Sequence, residues 1–468
     1  MVVSLLREAS LVAGHVLFSD RPELQRLTPA RLHATLWNWW IGATLLARLF
    51  LKRTPRLRAG SHVVIVASDF PPAVTGGVYR VLAIVNALAA EGWTVTVVTR
   101  AADNVAATSP GGVLLHRVAS GVGTVRVAGP SADDPWWQVA PMIDRMTSRH
   151  VDAVRSALVA IDARTPVSAV LASGPKFGEF VAASAFCRGA GVPLLLDFRD
   201  EWTMNTSEFV GHHAGESLWE ARCLATPDHV FFTTGAMQCE YLRSYPTLRA
   251  QSHSVLRNGW DSVDDATHPL AEDPDTTARI AFMGEPGSWS DLDEMLGTLH
   301  GALGAFPVLT AQVRLDFVGA RHEAAKVSIR QFPIPGVVQL RPGVPRDVAQ
   351  AQMRRYDALL LLNPPALHRC APGKLYEYLA ARRPILMYGT GGEAGALLDG
   401  YPGLVAVAQK DEHELVRALR RIADGAVARR MREEADTVDR FVERHDRRHR
   451  SRELISAVRA VLRDGSHD

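Results

Sequence analysis

Cysteine is scarce in this chain: four residues, Cys187, Cys223, Cys239 and Cys370, scattered without a CxxC pair or a Cys/His cluster at metal-ligand spacing. In so long a chain that usage excludes a disulfide scaffold and suits a reducing compartment, with buried or inert thiols. Lysine is scarcer for its class, five of 52 basic residues. That skew toward arginine reflects composition and says nothing of chemistry. An excess of one charge is also missing, because 52 basic residues meet 50 acidic ones, so no global field points to a nucleic-acid partner. Long apolar runs are absent as well. Mean hydropathy is −0.01, which rules out a polytopic membrane protein, and the opening MVVSLLREAS reaches Glu8 and Asp20 before any signal-peptide-like run develops. The expectation is a cytoplasmic protein. Four motifs are missing too: no GxGxxG follows the first strand, and there is no GxxxxGK[ST], GxSxG or HExxH, which weakens dinucleotide, P-loop, serine-hydrolase and zincin readings. No repeat of 20–50 residues is visible.

What is present is globular. Hydrophobic residues make up 47% and charged ones 22% of 468 residues, enough for two or three domains. Residues 1–60 stand apart, with nine Lys/Arg against three acids. Within them the run Leu36–Leu51, bearing Trp37, Trp39 and Trp40, is interrupted by Asn38 and Arg48 and followed by Lys52, Arg53, Arg56 and Arg58. Sixteen residues fall short of the ~20 needed to span a bilayer. Two readings stay open for residues 30–58: an interfacial helix on anionic lipid at the inner membrane face, or a helix packing its aromatic face on the body of the protein or on a second copy.

After Arg58 short β-rich runs alternate with helix-period segments. His62–Ala67 reads as a buried strand, and Asp69-Phe-Pro-Pro-Ala-Val-Thr-Gly-Gly77 as a loop. Val78, Val81, Leu82, Val85, Leu88 and Ala89 mark a helix that Gly92 stops, and Thr94–Thr99 is the next strand. This is a βαβ unit with parallel strands. Further strands are predicted at 169–173, 193–197 and 229–234. After an acidic, Pro-bearing linker near Asp261–Thr277 a second series follows at 279–283, 312–319, 337–340, 357–363 and 384–388. The fold class is therefore α/β: two doubly wound Rossmann-like domains, 61–265 and 266–425, expected to face a central cleft, with a helical N-terminal extension over 1–60. The last stretch, 426–468, is expected to be a charge-laced helix returning toward the N-terminal domain; from Asp411 onward 14 Arg are mixed with 13 Asp/Glu.

The best candidate chemistry lies in Ala371–Leu386. Pro372 and Gly373 at a helix start leave backbone N–H groups for an anion, Lys374 can reach a diphosphate, and Glu377, one turn on, is suited to gripping a ribose diol. An ordinary capped helix with an exposed ion pair would show the same spacing. Asp200 and Arg199 follow a strand end. They suit acceptor orientation or proton handling, or an ion pair that locks the loop. Trp202 reads as packing rather than sugar stacking, Lys176 as substrate-facing or merely solvated, and His212-His213 as loop histidines without a third metal ligand.

Four segments in order resemble the GT-B glycosyltransferases of family 4: Asp69-Phe-Pro-Pro with Gly76, Gly77 and Arg80; Ala172–Lys176 leading to Leu196–Trp202; Asn258-Gly-Trp-Asp261; and Gly373–Pro384. The resemblance covers about residue 62 to at least 390. It implies an acceptor-binding N-terminal domain, a C-terminal domain binding a UDP-, GDP- or ADP-sugar, and transfer with retention. Carried over, Gly76 and Gly77 would admit donor phosphate and acceptor. Gly373, Lys374 and Leu375 would cradle the diphosphate, Glu377 would hold the ribose, and Arg341–Val344, with Gly343, would border the base. Two positions depart from the pattern. Arg369 stands where the family has the first carboxylate of its Glu–seven residues–Glu motif, and Glu285 stands where a basic residue is usual. Charge on the leaving group then falls to Lys374, Arg369 or Arg80. The expectation is a retaining glycosyltransferase acting on a glycan or secondary-metabolite acceptor, with catalytic Asp200, Lys374 and Arg80, no cofactor and no metal. The competing reading is a non-catalytic GT-B partner or scaffold.

Overall fold

The computed structural model describes residues 29–52, 60–73, 75–101, 118–128, 142–144, 146–205, 215–261 and 277–464. The pair His212-His213, the basic residues Arg53, Arg56 and Arg58, and nearly all of the acidic linker (262–276) lie outside the described residues. The chain divides into two compact units. One comprises 1–233, 237–256 and 451–468, and the other 234–236 and 257–450.

The first unit is built on a seven-stranded sheet: β1 (His62–Val66), β2 (Thr94–Arg100), β3 (Gly123–Val127), β6 (Ala169–Gly174), β7 (Leu194–Phe198), β8 (His229–Phe232) and β9 (Ser252–Val255), in the order β3-β2-β1-β6-β7-β8-β9. A short antiparallel pair, β4 (Met142–Ile143) and β5 (Met146–Thr147), stands aside. Every pairing in the large sheet is parallel, with His62 opposite Thr94 and Val63 opposite Ala169. β1, β6, β7 and β8 are buried along their whole length, as their mostly apolar runs require when helices cover both faces. β3 and β9 have no comparable signal in the sequence; they are edge strands whose residues are half-exposed.

The second unit has a six-stranded parallel sheet of β10 (Ala278–Met283), β11 (Val313–Val318), β12 (Val338–Arg341), β13 (Ala358–Leu362), β14 (Ile385–Tyr388) and β15 (Leu404–Val407), ordered β12-β11-β10-β13-β14-β15. Two apolar cores flank each sheet, one per face. In both sheets the chain winds outward in one direction, then returns to the middle and winds the other way. The reversals lie between β1 and β6 and between β10 and β13. Strand ends at such a reversal leave a crevice at the sheet's carboxyl edge, where doubly wound folds bind ligands.

The stretch 426–468, expected as one helix, is three, Ala426–Glu433, Ala435–Glu443 and Arg447–Asp464, and the helix Glu412–Ala423 precedes them. Asp411 caps this preceding helix by accepting from the Glu414 N–H, and Gly425 in the left-handed region (φ +69°) breaks it from the next. Each has a buried apolar stripe under its charges. Leu454, Ile455 and Val458 of the last helix join Val81, Val85 and Leu88 in the first unit's core.

The helix Pro29–Leu49 also belongs to the first unit. Asn38, Gly42, Leu45 and Leu49 face inward against the helices Ser148–Arg164 and Gly178–Ala190. Asn38 accepts from the Arg149 N–H, and a methyl group on Gly42 would stand 3.0 Å from the Ser148 hydroxyl. Arg222 covers the Phe50 ring at 3.5 Å. No helix among the described residues is long and apolar enough to cross a membrane.

Candidate active site

In the second unit, the reversal between β10 and β13 brings together the loop after β10 and the helix Gly373–Ala380. Pro372 fixes the helix start with extended ψ and offers no side-chain cap. Gly373 is exposed, with nothing near the position a Cβ would take, so the amide end is open rather than sealed. Lys374 lays its amine over the Phe282 ring at 3.6 Å, beside Gly284. Burial pulls its pKa down to about 7, against the raising influence of Glu285 and Glu377. The residue as a whole is only half-buried, so the crowding falls on the amine itself.

Three glycines meet here. Gly284 and Gly319 follow β10 and β11 with φ of +90° each, and the Cα of Gly343 lies 3.4 Å from where a Cβ of Gly319 would sit. Side chains at these turns would be strained and would fill the crevice, so the backbone itself lines it. Leu375 points into the core and its N–H bonds back to the Pro372 carbonyl. It shapes the helix start without presenting a side chain.

Glu377 is partly exposed, and Oε1 accepts from Arg346 Nε at 2.6 Å. Arg346 also meets Asp261, which accepts from Arg447 at 2.5 Å. Arg346 therefore anchors the carboxylate through the Asn258–Asp261 segment. No local motif announces Arg346, because its partners lie 31 and 85 residues away. Glu285 turns to the backbone N–H groups of Arg321 and His322, at the start of the helix Glu323–Arg330. The acid in the basic position thus has an anion site of its own. Arg341 is directed to Asp316, which also accepts from Tyr356, so its guanidinium is held along the sheet face. Arg369 lies half-buried in the turn before the helix.

In the first unit, the reversal between β1 and β6 gathers Ser68, Asp69, Gly76, Gly77, the 174–176 loop and Glu179. Asp200 lies two residues past the end of β7, next to them. It is half-buried, makes no hydrogen bond among the described residues, and is raised to about 6 by burial, with Arg199 and Arg80 opposing. Arg199 does not lock the loop through an ion pair with Asp200. Its guanidinium binds the carbonyls of Gly174 and Pro175 and occupies the space over Gly77 that any Cβ would need. Arg80 is engaged more firmly still. It is 5% exposed and grips Asp197 through Nε at 3.0 Å and Nη2 at 2.6 Å, with Nη2 also donating to the Leu256 carbonyl. Such a guanidinium ties the helix Gly76–Ala90 to β7. Trp202 is fully buried and stacked on Phe177 at 5.0 Å, which makes it core. Lys176 approaches buried Asp144 at 4.0 Å. All four cysteines are free. Among the described residues no group of three or more His, Cys, Asp or Glu is placed to hold a metal.

Residues 75–259 match the model of the glycosyl transferase 4-like domain. Sucrose-phosphate synthase from Thermosynechococcus elongatus is similar in structure at 15% identity and a TM-score of 0.60, over 86% of this chain and 100% of that one. A glycosyltransferase from Rickettsia africae ESF-5 matches at 13% and 0.62, over 86% and 99%. A structure described as trehalose-6-phosphate from E. coli bound with UDP-2-fluoro glucose matches at 14% and 0.59, over 85% and 99%. Identities this low show the fold, GT-B, and the glycosyl transferase 4-like match covers residues 75–259. A search of curated proteins found no match.

One residue of the first unit has no counterpart in the sequence reading. Glu179, 2% exposed at the start of the helix Gly178–Ala190, accepts from Ser68 Oγ at 2.6 Å, while its Oε2 has no partner among the described residues. Burial raises its pKa to about 8. The unfolded chain gives up this proton near 4.5 and the folded one holds it, so stability is full below 4.5 and is lost as pH rises toward 8. His150 and His229, with lowered pKa values, act oppositely, but only up to the ordinary histidine range near 6.5. The expected result is that Glu179→Gln removes a loss of about 1.4 kcal/mol per pH unit between pH 6.5 and 8. Parallel slopes of Tm against pH for the two proteins would disprove it.

Proposed function

We propose that the enzyme transfers a sugar from a nucleotide diphosphate donor to a hydroxyl of a small-molecule or glycan acceptor, with retention at the anomeric carbon. The observation that carries this reading is the open amide end at Gly373 beside Lys374 and the turn glycines Gly284 and Gly319. Together they form a cradle for a diphosphate made of backbone N–H groups, a helix dipole and one amine. Glu377, held by Arg346, is directed at the donor's ribose. Arg369, in place of a carboxylate, offers positive charge to an acidic or phosphate-bearing group of the donor. Asp200, with its raised pKa and no hydrogen-bond partner among the described residues, orients the acceptor's hydroxyl.

In the proposed reaction the acceptor oxygen bonds to the anomeric carbon on the face from which the diphosphate departs. The carbon–phosphate-oxygen bond breaks, and the acceptor's proton passes to a leaving phosphate oxygen. No protein nucleophile, cofactor or metal enters the scheme. The protein supplies positioning and charge stabilisation. Free thiols and the nucleotide donor suit a cytoplasmic enzyme.

A thermal-shift panel of UDP-, GDP- and ADP-sugars tests the donor class. The matching nucleotide at ~100 Kd should add about 2.7 kcal/mol of stability, and Glu377→Ala should weaken that gain. If no nucleotide raises Tm, the donor assignment is wrong.

A further inference from the structure

Packing accounts for only one side of the helix Pro29–Leu49. Trp37 is 48% exposed and Trp40 64%, and the stripe they begin continues through Ala43, Ala47 and Arg48 to Leu51, 50% exposed, and Lys52. These positions recur at helical spacing, opposite the inward face of Asn38, Gly42, Leu45 and Leu49. Two exposed indoles on one helix face are expensive to leave in water, and nothing among the described residues uses them.

Charge decides the occupant. Between Glu23 and Asp69 the sequence has seven Lys/Arg and no acidic residue. Two of them, Arg48 and Lys52, lie on the exposed stripe itself. A second copy of this face would bring cations and no countercharge, whereas anionic headgroups complement it. Indole rings suit the same depth, with an apolar body and one N–H donor at the water boundary. We propose that this face docks the enzyme on an anionic lipid surface, with Trp37 and Trp40 inserted at headgroup level and Arg48 and Lys52 on lipid phosphates. The helix lies on the bilayer without crossing it, because its inner face is already committed to the protein core. The inference is independent of the donor and acceptor assignments.

The test is co-sedimentation of the full chain with vesicles of phosphatidylglycerol and phosphatidylcholine, and with vesicles of phosphatidylcholine alone. The mixed vesicles should bind at least about tenfold more tightly, and added salt should weaken that binding. Trp37→Ser with Trp40→Ser should reduce partitioning about tenfold or more while leaving Tm unchanged, since both rings are exposed. Arg48→Gln with Lys52→Gln should weaken binding and flatten its salt dependence. Absence of binding to the anionic vesicles, or tryptophan variants that bind as well as the parent, would overturn the proposal. So would a lipid-insensitive dimer that the tryptophan variants convert to monomer, which would assign the face to a second copy.

Discussion

Lys374→Ala should lower turnover about 10²–10³-fold, roughly 2.7–4 kcal/mol of barrier, the usual cost of removing one donor aimed at developing charge. The fold should survive, because the amine lies over one ring face and forms no ion pair with a buried acid among the described residues. The loss should appear in kcat as well as kcat/KM, since negative charge on the diphosphate grows as the bond to the sugar breaks. The lowered pKa adds a signature. With the amine titrating at about 7 in the free enzyme, kcat/KM should decline as pH rises through that value. Bound diphosphate raises the pKa again, so kcat should hold to higher pH. Glu285 and Glu377 already oppose the loss of this proton, and Glu285→Gln should move the kcat/KM limb to lower pH. A Lys374→Ala enzyme with parental kcat would remove the amine from the reaction.

Asp197→Ala should have the largest effect on stability, about 3–5 kcal/mol, because it leaves the Arg80 guanidinium buried and uncompensated. Asp197 is fully buried and accepts from Ser173 as well as from both ends of the guanidinium fork. Replacing both partners, Arg80→Met with Asp197→Leu, should cost much less than the sum of the single changes, since the buried charge disappears with its partner. Chemical denaturation of the four proteins gives the coupling. Activity of the double variant then separates two roles for Arg80. Positioning predicts near-parental turnover once the helix Gly76–Ala90 is held by packing alone. A direct part in leaving-group stabilisation predicts a loss comparable to that of Lys374→Ala. Single changes that cost under about 1 kcal/mol would mean the pair is not the buried clamp its geometry indicates.

Most of the architecture was legible in the chain itself. Parallel strands covered on both faces are mostly apolar, so β1, β6, β7, β13 and β14 stand out as near-continuous runs, and period-3.6 helices lie between them. Pro372-Gly373-Lys374 announced a helix start with free amides by the same local logic. Edge strands β3 and β9 were not legible, because half-exposed residues need no apolar pattern. Nor were the partners of charged groups. Whether an arginine meets phosphate, a carbonyl or a buried acid depends on side chains tens to more than a hundred residues away. Tertiary structure alone gave Arg80 to Asp197, Arg199 to the 174–175 carbonyls, Arg346 to Glu377 and Glu285 to the backbone after β11. It likewise divided the tryptophan-rich helix into an inward face and an outward one, since periodicity marks the stripes but only packing decides which is covered. Sequence determined the elements and the type of chemistry, because propensity, periodicity and helix-end signals act over a few residues. Assignment of each charge waited on the fold, because desolvation and ion pairing are set by neighbours in space.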